Sequence, residues 1–471
     1  MKEIDFLLND KMNEECGVFG VINVHNASEV MYYGLHALQH RGQEGCGIIT
    51  SDSKRFYHLK GEGLVTEIFN ENNLKSLKGS QAIGHVRYST NGGGGIENVQ
   101  PFLFRHTTGD FGLCHNGNLV NSNELRKELE IHGSIFQSSS DSEIFAHLIK
   151  KDTQKDRQKA IRDALNQIEG AFAFLALDNE KIYIMRDKNS LRPLSLGKLN
   201  GGYVVSSETC AFEVVGAEFI RDILPGEILT IDHLGNMISD SYAEKVYPNM
   251  CAMEYIYFSR PDSVIENVNV HSSRKEAGRI LAKEAPVDAD VVVWVPDSSV
   301  SASIGFSEES KIPTEMGLIK NRYVGRTFIK PSQKLREKGV KMKLSAIPSI
   351  VEGKRVVLVD DSIVRGTTSK KIIKLLRDAG ATEVHMRIAA PPITHPCVYG
   401  VDTSTYDELL AAKHSVEEIR EIINADSLAF ISEAGILRAC NRKKMCMSCF
   451  NGKYPTYLYH AIKDANKDGK F

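Results

Sequence analysis

The chain has 471 residues, of which 42% are hydrophobic and 25% are charged. This is ordinary globular usage, which excludes a disordered, collagen-like or coiled-coil protein, and at ~100–200 residues per domain the length suggests about two to four domains. The formal net charge of −2 provides no overall basic field, so nucleic acid is a poor default partner.

The sequence contains neither a membrane span nor an export signal. Its longest apolar runs are far shorter than the ~18 residues that a span needs. The first fifteen residues lack the basic start and the long apolar stretch of a secretory signal. We therefore expect a cytoplasmic protein without a membrane partner, whose nine cysteines are core residues, catalytic thiols or metal ligands rather than a disulfide framework.

The first half of the chain is dominated by short apolar segments interrupted by glycine, a pattern that predicts many strands. The predicted strands are Gly17–Val24, Gln81–Tyr88, Phe111–His115, Ala171–Leu177 and Gly202–Ser206. Two helices, Met31–His40 and Ser142–Lys151, are predicted among them.

Strands and helices alternate in the second half. The predicted elements are the strands Val291–Val295, Val356–Val359 and Glu383–Ala389 and the helix Ser369–Ala379. Continuous apolar strands that alternate with helices indicate an α/β domain with a doubly wound parallel sheet. We expect a first domain over residues 16–235 and a second over 236–455, with a leader, 1–15, and a polar tail, 456–471.

Cys16 begins an apolar strand directly after the acidic leader. If the leader is removed, the α-amino group of Cys16, with an ordinary pKa near ~8, lies beside the thiol and can act as its general base. For this residue alone the alternative is a buried thiol at the start of a strand, because free cysteine is among the most buried residue types.

Four further motifs accompany Cys16, namely Met31–Glu44, Gly84–Thr90, Cys114–Asn118 and Ser139–Glu143. Together they resemble the N-terminal-nucleophile glutamine amidotransferase domain. The resemblance implies an α+β fold, the αββα sandwich, with Cys16 as the nucleophile that attacks the glutamine amide.

The same resemblance implies a role for four more residues. Arg87 would hold the α-carboxylate of glutamine with its guanidinium, and Asp141 would hold the α-ammonium. The side chain of Asn116 and the backbone N–H of Gly117 would stabilise the oxyanion. Each residue also has a simpler interpretation, with Arg87 and Asp141 as surface charges and Asn116 and Gly117 as a hairpin turn.

Residues 356–368 have the pattern of an anion site that follows an apolar strand. Asp360 and Asp361 end the strand, and a loop with glycine and hydroxyl residues leads to the start of a helix, whose N–H groups attract anions. Adjacent carboxylates at such a place suit ribose hydroxyls or Mg²⁺.

This stretch resembles the phosphoribosyl pyrophosphate (PRPP) signature of the type I phosphoribosyltransferases. The resemblance implies that Asp360 and Asp361 face the ribose and its Mg²⁺, with Ser298 completing the metal environment. The implied 5′-phosphate residues are Ser362, Val364, Arg365, Gly366, Thr367 and Thr368.

The segment 320–343 is rich in lysine and arginine. Seen alone, it is equally well interpreted as a solvated charged loop. Beside a phosphate site we interpret it as a basic lid that closes on the pyrophosphate, with Lys320 and Arg326 as contacts.

Four cysteines have the spacing of metal ligands: Cys446 and Cys449 form a C-x-x-C pair, and Cys251 and Cys397 precede them. The spacing leaves zinc, a redox pair and an iron–sulfur cluster open. The neighbouring residues resemble the iron–sulfur branch of a family of PRPP-dependent amidotransferases, which implies a structural [4Fe–4S] cluster on these four thiols. Cys440 could compete as a ligand and is interpreted as a non-ligand.

The two resemblances imply one enzyme that uses glutamine, PRPP and water to form 5-phosphoribosylamine, glutamate and pyrophosphate, the first step of de novo purine synthesis. They also imply ammonia transfer between two sites, inhibition by purine nucleotides and a homotetramer. The alternatives are a non-catalytic nucleotide-sensing regulator, an amidotransferase that acts on another acceptor such as a sugar phosphate, and an iron–sulfur electron carrier.

Overall fold

The structure is a computed structural model that describes residues 16–88, 95–106, 109–151, 156–321, 344–403 and 405–459. These residues form two units, each with hydrophobic cores of its own. Within the same ranges, no helix combines the length and the apolar character needed to cross a membrane.

The first unit consists of thirteen strands and seven α-helices among the described residues. The strands are β1 (Gly17–Ile22), β2 (Gly45–Ser51), β3 (Phe56–Glu62), β4 (Gln81–Arg87), β5 (Phe102–Phe104), β6 (Phe111–Leu119), β7 (Gly170–Leu177), β8 (Lys181–Arg186), β9 (Ser195–Leu199), β10 (Gly202–Ser206), β11 (Glu218–Asp222), β12 (Glu227–Asp232) and β13 (Met237–Ser241). The helices are α1 (Ala27–Ala37), α2 (Val65–Ile68), α3 (Glu71–Leu74), α4 (Ser122–Ile131), α5 (Ser142–Lys151), α6 (Arg157–Leu165) and α7 (Cys210–Val215).

These strands form two antiparallel sheets, with the orders β11-β9-β10-β1-β4-β2-β3 and β13-β12-β8-β7-β6-β5. Side chains from both sheets, such as Val18 on β1 and Ala173 on β7, share one buried cluster between them. Helices α1 and α7 cover the outer face of the first sheet, and α4, α5 and α6 cover that of the second. The αββα sandwich implied by the sequence is thus confirmed.

The second unit is built on a four-stranded parallel sheet. The strands of the whole second unit, including two separate two-stranded sheets, are β14 (Val264–Ile265), β15 (Val268–Asn269), β16 (Val291–Trp294), β17 (Leu318–Lys320), β18 (Leu344–Ala346), β19 (Arg355–Asp360), β20 (Glu383–Ile388) and β21 (Ser427–Phe430). The helices are α8 (Val270–Glu284), α9 (Val300–Ser310), α10 (Pro348–Val351), α11 (Thr367–Asp378), α12 (Leu410–Lys413), α13 (Val416–Ile423), α14 (Glu433–Ala439) and α15 (Ser448–Asn451).

The parallel sheet has the order β16-β19-β20-β21. The interiors of β16 and β19 are buried throughout, as expected for strands covered on both faces. The predicted parallel α/β sheet is therefore confirmed. Because its strands are parallel, the loops that follow β16 and β19 lie at the same edge.

The boundary between the two units lies further along the chain than residue 235. That residue is in the turn between β12 and β13, and β13 pairs with β12 over its whole length, so this hairpin completes the second sheet of the first unit. We place the boundary after Ser241. The sequence shows a change from short apolar segments to alternating strands and helices, but that change does not reveal that one more strand, β13, pairs with β12 after residue 235.

Contacts between polar groups join the two units. The amide of Asn118 on β6 donates to the carbonyl of Val398 at 2.8 Å. The buried guanidinium of Arg186 donates to Glu266 at 3.1 Å. The two units therefore meet at the end of the first unit that carries Cys16, because Asn118 also lines the cavity beside that residue.

Candidate active sites

A small cavity at the start of β1 brings together residues from five separate segments. It is lined by Cys16, Arg87, Tyr88, Asn98, Gln100, His115, Gly117, Asn118, Ser140 and Asp141. Cys16 is partly exposed, and its thiol donates to the carbonyl of Tyr88 at 3.4 Å. Four of the residues predicted from the motifs, Cys16, Arg87, Gly117 and Asp141, therefore share one cavity.

Asp141 is held as a carboxylate. Its Oδ2 accepts the backbone N–H of Leu119 at 2.8 Å, and its Oδ1 lies 3.5 Å from Nδ1 of His115. Burial alone raises the pKa of Asp141, but the neighbouring His115 and the backbone N–H groups outweigh burial, so the pKa is lowered overall. An ionised carboxylate in a cavity is suited to bind an ammonium group.

Asn116 is fully buried but does not line the cavity with its neighbours. Alternation along β6 places its side chain on the opposite face from His115 and Gly117, and its pairing partner on β7 is Ala173, which lies between the sheets. Neither atom of its amide has a hydrogen-bond partner among the described residues. A buried amide left without a partner costs about 1–3 kcal/mol.

Gly117 requires glycine for two reasons. Its φ is +143°, and a Cβ on it would lie 2.0 Å from the carbonyl oxygen of Ala171 on β7. We expect Gly117→Ala to destabilise the protein by at least about 2–3 kcal/mol, because the new methyl group must displace a strand that is hydrogen-bonded on both sides. The midpoint of unfolding in urea measures this change.

Gly133→Ala is the matched control for this substitution. Gly133 also has positive φ, +87°, but a Cβ there meets nothing within 4 Å. Only the backbone cost of about 1–2 kcal/mol remains at this position. Equal shifts for the two variants would show that the close approach to Ala171 contributes nothing.

A second site is formed where the loops after β16 and β19 meet. Asp360 is buried, and its Oδ1 accepts the hydroxyl of Ser299 at 3.0 Å and the N–H of Asp361 at 2.9 Å. Asp361 accepts the hydroxyl of Ser298 and that of Ser362, the latter at 2.8 Å. The structure thus brings Ser298, Asp360 and Asp361 together, as expected from the sequence.

The loop that follows Asp361 leads directly into α11. Gly366 precedes the helix with φ +75°, and a Cβ on it would lie 2.6 Å from Cδ2 of Leu410. Thr367 and Thr368 open the helix, so their N–H groups belong to its first turn, which has no partners within the helix backbone. This arrangement is a typical anion site.

Two further residues of the predicted 5′-phosphate loop, Val364 and Arg365, contact the segment around Leu410 and Glu408. Val364 is buried, and its carbonyl accepts the N–H of Leu410. Arg365 pairs with Glu408 at 3.1 Å.

Lys320 is exposed, and its Nζ lies 3.4 Å from Oδ2 of Asp297, which belongs to the loop after β16. Arg326 and most of the predicted lid, like the leader, lie outside the described residues.

The four predicted cluster cysteines line one further cavity, together with Leu191, Arg192, Met253, Tyr399, Val401 and Ser448. Cys251 and Cys446 are neighbours in a parallel β-bridge, and none of these four cysteines forms a disulfide. Burial raises the pKa of Cys449, and Cys251, Cys397 and Cys446 raise it further, which reflects their proximity.

Within the described part of the chain, no three His, Cys, Asp or Glu side chains are arranged to hold a single metal ion. A four-iron cluster distributes its four thiolates over different irons, so its ligands need not converge on one point. Four thiols around one cavity, two of them buried and two partly exposed, therefore fit such a cluster better than a single zinc ion. Cys440 lines a different cavity, beside Asp361.

Two supporting residues were not singled out from the sequence. Ser299 binds Asp360, and Ser142 connects Gln100 to His115 beneath Asp141. Both follow predicted site residues directly, at Ser298 and Asp141, so their position next to a motif was the available signal.

Known proteins resemble this chain over almost its whole length. A family model for a glutamine amidotransferase domain matches residues 85–214, and one for a phosphoribosyl transferase domain matches residues 290–420. Amidophosphoribosyltransferase of Bacillus subtilis (strain 168) is 56% identical over 455 residues, which cover 95% of this chain and 95% of that protein. The amidophosphoribosyltransferase of Staphylococcus aureus (strain Mu50) is 49% identical over 456 residues, 95% of this chain and 92% of that protein.

A solved structure agrees with these matches. The glutamine PRPP amidotransferase from B. subtilis complexed with ADP and GMP has a TM-score of 0.91 to this chain at 55% identity. The superposition covers 94% of this chain and 98% of that one, so both units are matched together.

Proposed function

The chain belongs to the amidophosphoribosyltransferase family, and we propose that its two candidate sites divide the family's reaction between the two units. The enzyme converts glutamine, PRPP and water to 5-phosphoribosylamine, glutamate and pyrophosphate, the first step of purine biosynthesis. We assign glutamine hydrolysis to the Cys16 cavity and PRPP turnover to the edge of the parallel sheet at Asp360 and Asp361.

In the first half-reaction Cys16 is the nucleophile. Removal of the leader gives it a free α-amino group, which takes the thiol proton. The thiolate attacks the amide carbon of glutamine, and the same amino group returns the proton to the departing nitrogen, which leaves as ammonia. Water then hydrolyses the thioester to glutamate and restores the thiol.

The neighbouring side chains bind and stabilise the glutamine. Arg87 lines the cavity and is suited to the α-carboxylate, while the ionised Asp141 is suited to the α-ammonium. The N–H of Gly117, which lines the cavity, is one donor for the oxyanion, and the amide of Asn116, buried on the inter-sheet face of β6, is proposed as the second. The absence of a described partner for the Asn116 amide supports this assignment.

In the second half-reaction PRPP lies over the carboxyl edge of the parallel sheet. The N–H groups at Gly366, Thr367 and Thr368 hold the 5′-phosphate, and Asp360 and Asp361 face the ribose. Ammonia attacks C1 of the ribose, and pyrophosphate departs from it. We assign Lys320 and Arg326 to the pyrophosphate end of the site.

The residues at this edge also fit Mg²⁺. One or two carboxylates that share the ion with substrate phosphates are a usual magnesium site, and the hydroxyl of Ser298 already lies against Asp361. The ion would neutralise charge on the departing pyrophosphate. The residues that would hold it are Asp360, Asp361 and Ser298.

Ammonia must travel between the two sites without protonation, because ammonium has no lone pair for attack. The contact of Asn118 with Val398 supports a closed route, since Asn118 lines the Cys16 cavity while Val398 belongs to the second unit. We propose that ammonia passes through the interface of the units.

We also propose that Cys251, Cys397, Cys446 and Cys449 hold a structural [4Fe–4S] cluster. Anaerobically purified protein should show the visible absorption of such a cluster and contain iron and sulfide in equal amounts. Cys449→Ser should lose both, because one of four ligands is missing. Cys440→Ser is the control and should retain both, since that thiol lies in another cavity. Stoichiometric zinc without sulfide would contradict the cluster.

Purine nucleotides are the proposed inhibitors. The B. subtilis relative was solved with ADP and GMP, and a nucleoside phosphate shares its ribose 5-phosphate with PRPP. We propose that such nucleotides occupy the PRPP site of this chain. A homotetramer and a cytoplasmic location stay predictions.

The assignment depends most on one observation, the convergence of Cys16, Arg87, Gly117 and Asp141 on a single cavity. The experiment that tests the division of labour is release of pyrophosphate from PRPP with Mg²⁺ and either glutamine or an ammonium salt. Glutamine requires both sites, whereas ammonia requires only the second.

A further inference from the structure

A buried ion pair between the two units reaches the backbone of Cys16. Arg41 lies in the short 3₁₀ turn Gln39–Arg41 that follows α1, and only 1% of it is exposed. Its Nε donates to the carbonyl oxygen of Cys16 at 3.1 Å. The rest of its guanidinium is bound by two fully buried carboxylates, Glu208 and Glu254.

Glu254 holds Arg41 from the other unit. It lies in the π-helical turn Glu254–Phe258, and its two oxygens accept from Nη2 and Nη1 of Arg41 at 2.8 and 3.0 Å. The hydroxyl of Ser259 donates to the same carboxylate at 2.7 Å. A two-pronged contact of this kind fixes the plane of a guanidinium, so Glu254 determines the direction in which Nε points.

The backbone around Arg41 leaves it little alternative. A Cβ at Gly42 would lie 2.6 Å from the backbone carbon of Arg87, and a Cβ at Gly17 would lie 3.3 Å from Cδ of Arg41. The turn is therefore packed directly on the strand ends that carry Cys16 and Arg87. A movement of this turn would therefore disturb these strand ends.

We propose that Glu254, through Arg41, is a positioning residue for the Cys16 nucleophile, contributed by the unit that binds PRPP. The inference rests on the proposed role of Cys16. Fixing the Cys16 carbonyl holds the peptide plane that carries its Cα, and so restricts the positions that the thiol and the α-amino group can take. The glutaminase site is then complete only when the second unit is docked.

Glu254→Gln tests this, because it keeps the shape and removes the charge that orients Arg41. We expect the kcat of glutamine hydrolysis, measured as glutamate release with PRPP and Mg²⁺ present, to fall by about tenfold to a hundredfold. The rate of Cys16 alkylation by iodoacetamide, followed on the Cys16 peptide by mass spectrometry, should fall in parallel. Ammonia-dependent pyrophosphate release and the KM for PRPP should stay near those of the parent protein.

Glu266→Gln is the matched control. Glu266 also joins the units through a buried arginine, Arg186, but it does not contact Arg41. It should leave Cys16 alkylation and glutamine hydrolysis unchanged. If both variants lost glutamine-dependent and ammonia-dependent turnover equally, the Glu254 contact would be a structural tie only, and the proposal would fail.

Arg41→Lys provides a second test if Glu254→Gln does not fold. Lysine keeps the positive charge for Glu208 and Glu254 but cannot hold two carboxylates and a carbonyl in one plane. Unchanged Cys16 alkylation and glutamine hydrolysis in this variant would overturn the proposal. Cys16→Ala distinguishes failure of the proposed function from failure of the positioning role. If Cys16→Ala retains glutamine-dependent activity, the proposed function fails. If only the Glu254 and Arg41 variants keep normal activity, the positioning role alone is removed.

Discussion

Replacing Cys16 by alanine is expected to lower glutamine-dependent release of pyrophosphate by about 10³-fold or more, while ammonia-dependent release continues at its original rate. The thiol forms a bond to the substrate, and no other thiol lines the described cavity. Ammonia enters after that step, so the second site works without Cys16. Pyrophosphate release with glutamine and with an ammonium salt measures both rates on one preparation.

Cys46→Ala is the control for this substitution. Cys46 is fully buried in β2, and burial raises the pKa of its thiol to about 12, so it is not a nucleophile near neutral pH. Both activities should persist in that variant. Glutamine-dependent turnover that survived Cys16→Ala would contradict the assignment of Cys16 as the nucleophile. An equal loss of glutamine-dependent and ammonia-dependent turnover would contradict it as well.

The leader provides an independent check on the same step. N-terminal sequencing of active protein should begin at Cys16, because a peptide bond at its nitrogen removes the general base. Protein that retains the leader should fail to hydrolyse glutamine while it still uses ammonia.

The second unit could be predicted in detail because its signals are local. The run Val356–Val359 is apolar throughout, and β19 extends it by one residue at each end. The hydroxyl and glycine residues of the following loop are contiguous with it, and the helix begins at Thr367, two residues before the predicted start. Strand, loop and helix are short-range features, and a parallel sheet brings two such loops together automatically.

The first unit shows where such reasoning ends. The helix predicted as Met31–His40 begins at Ala27 and stops at Ala37, since Gln39–Arg41 forms a tighter turn that places Arg41 against Cys16. One partner of Arg41, Glu254, is 213 positions away, and no local periodicity encodes that pairing. The burial of Asn116 between the sheets likewise depends on strand register rather than on residue type.

Asp361→Asn is expected to lower pyrophosphate release by about 10²–10³-fold with glutamine and with ammonia alike. The substitution preserves shape, so a large effect reports the lost charge at the edge where β19 ends. Asparagine can still accept one of the two hydroxyls, from Ser298 or Ser362, that Asp361 accepts. Parallel loss with both nitrogen donors distinguishes this site from that of Cys16.

Asp290→Asn is the control at the opposite edge of the same sheet. Asp290 precedes β16 and pairs with Arg355, which opens β19, at 2.8 Å on the surface. Exposed ion pairs contribute little to stability, and this one lies at the amino ends of the strands, so turnover should be unchanged. If Asp361→Asn retained full ammonia-dependent turnover, the assignment of PRPP and its metal to this edge would fail. If Asp290→Asn lowered turnover as much as Asp361→Asn, loss of a carboxylate at either edge of the sheet would be enough to impair the protein. The effect of Asp361→Asn would then not identify a substrate site.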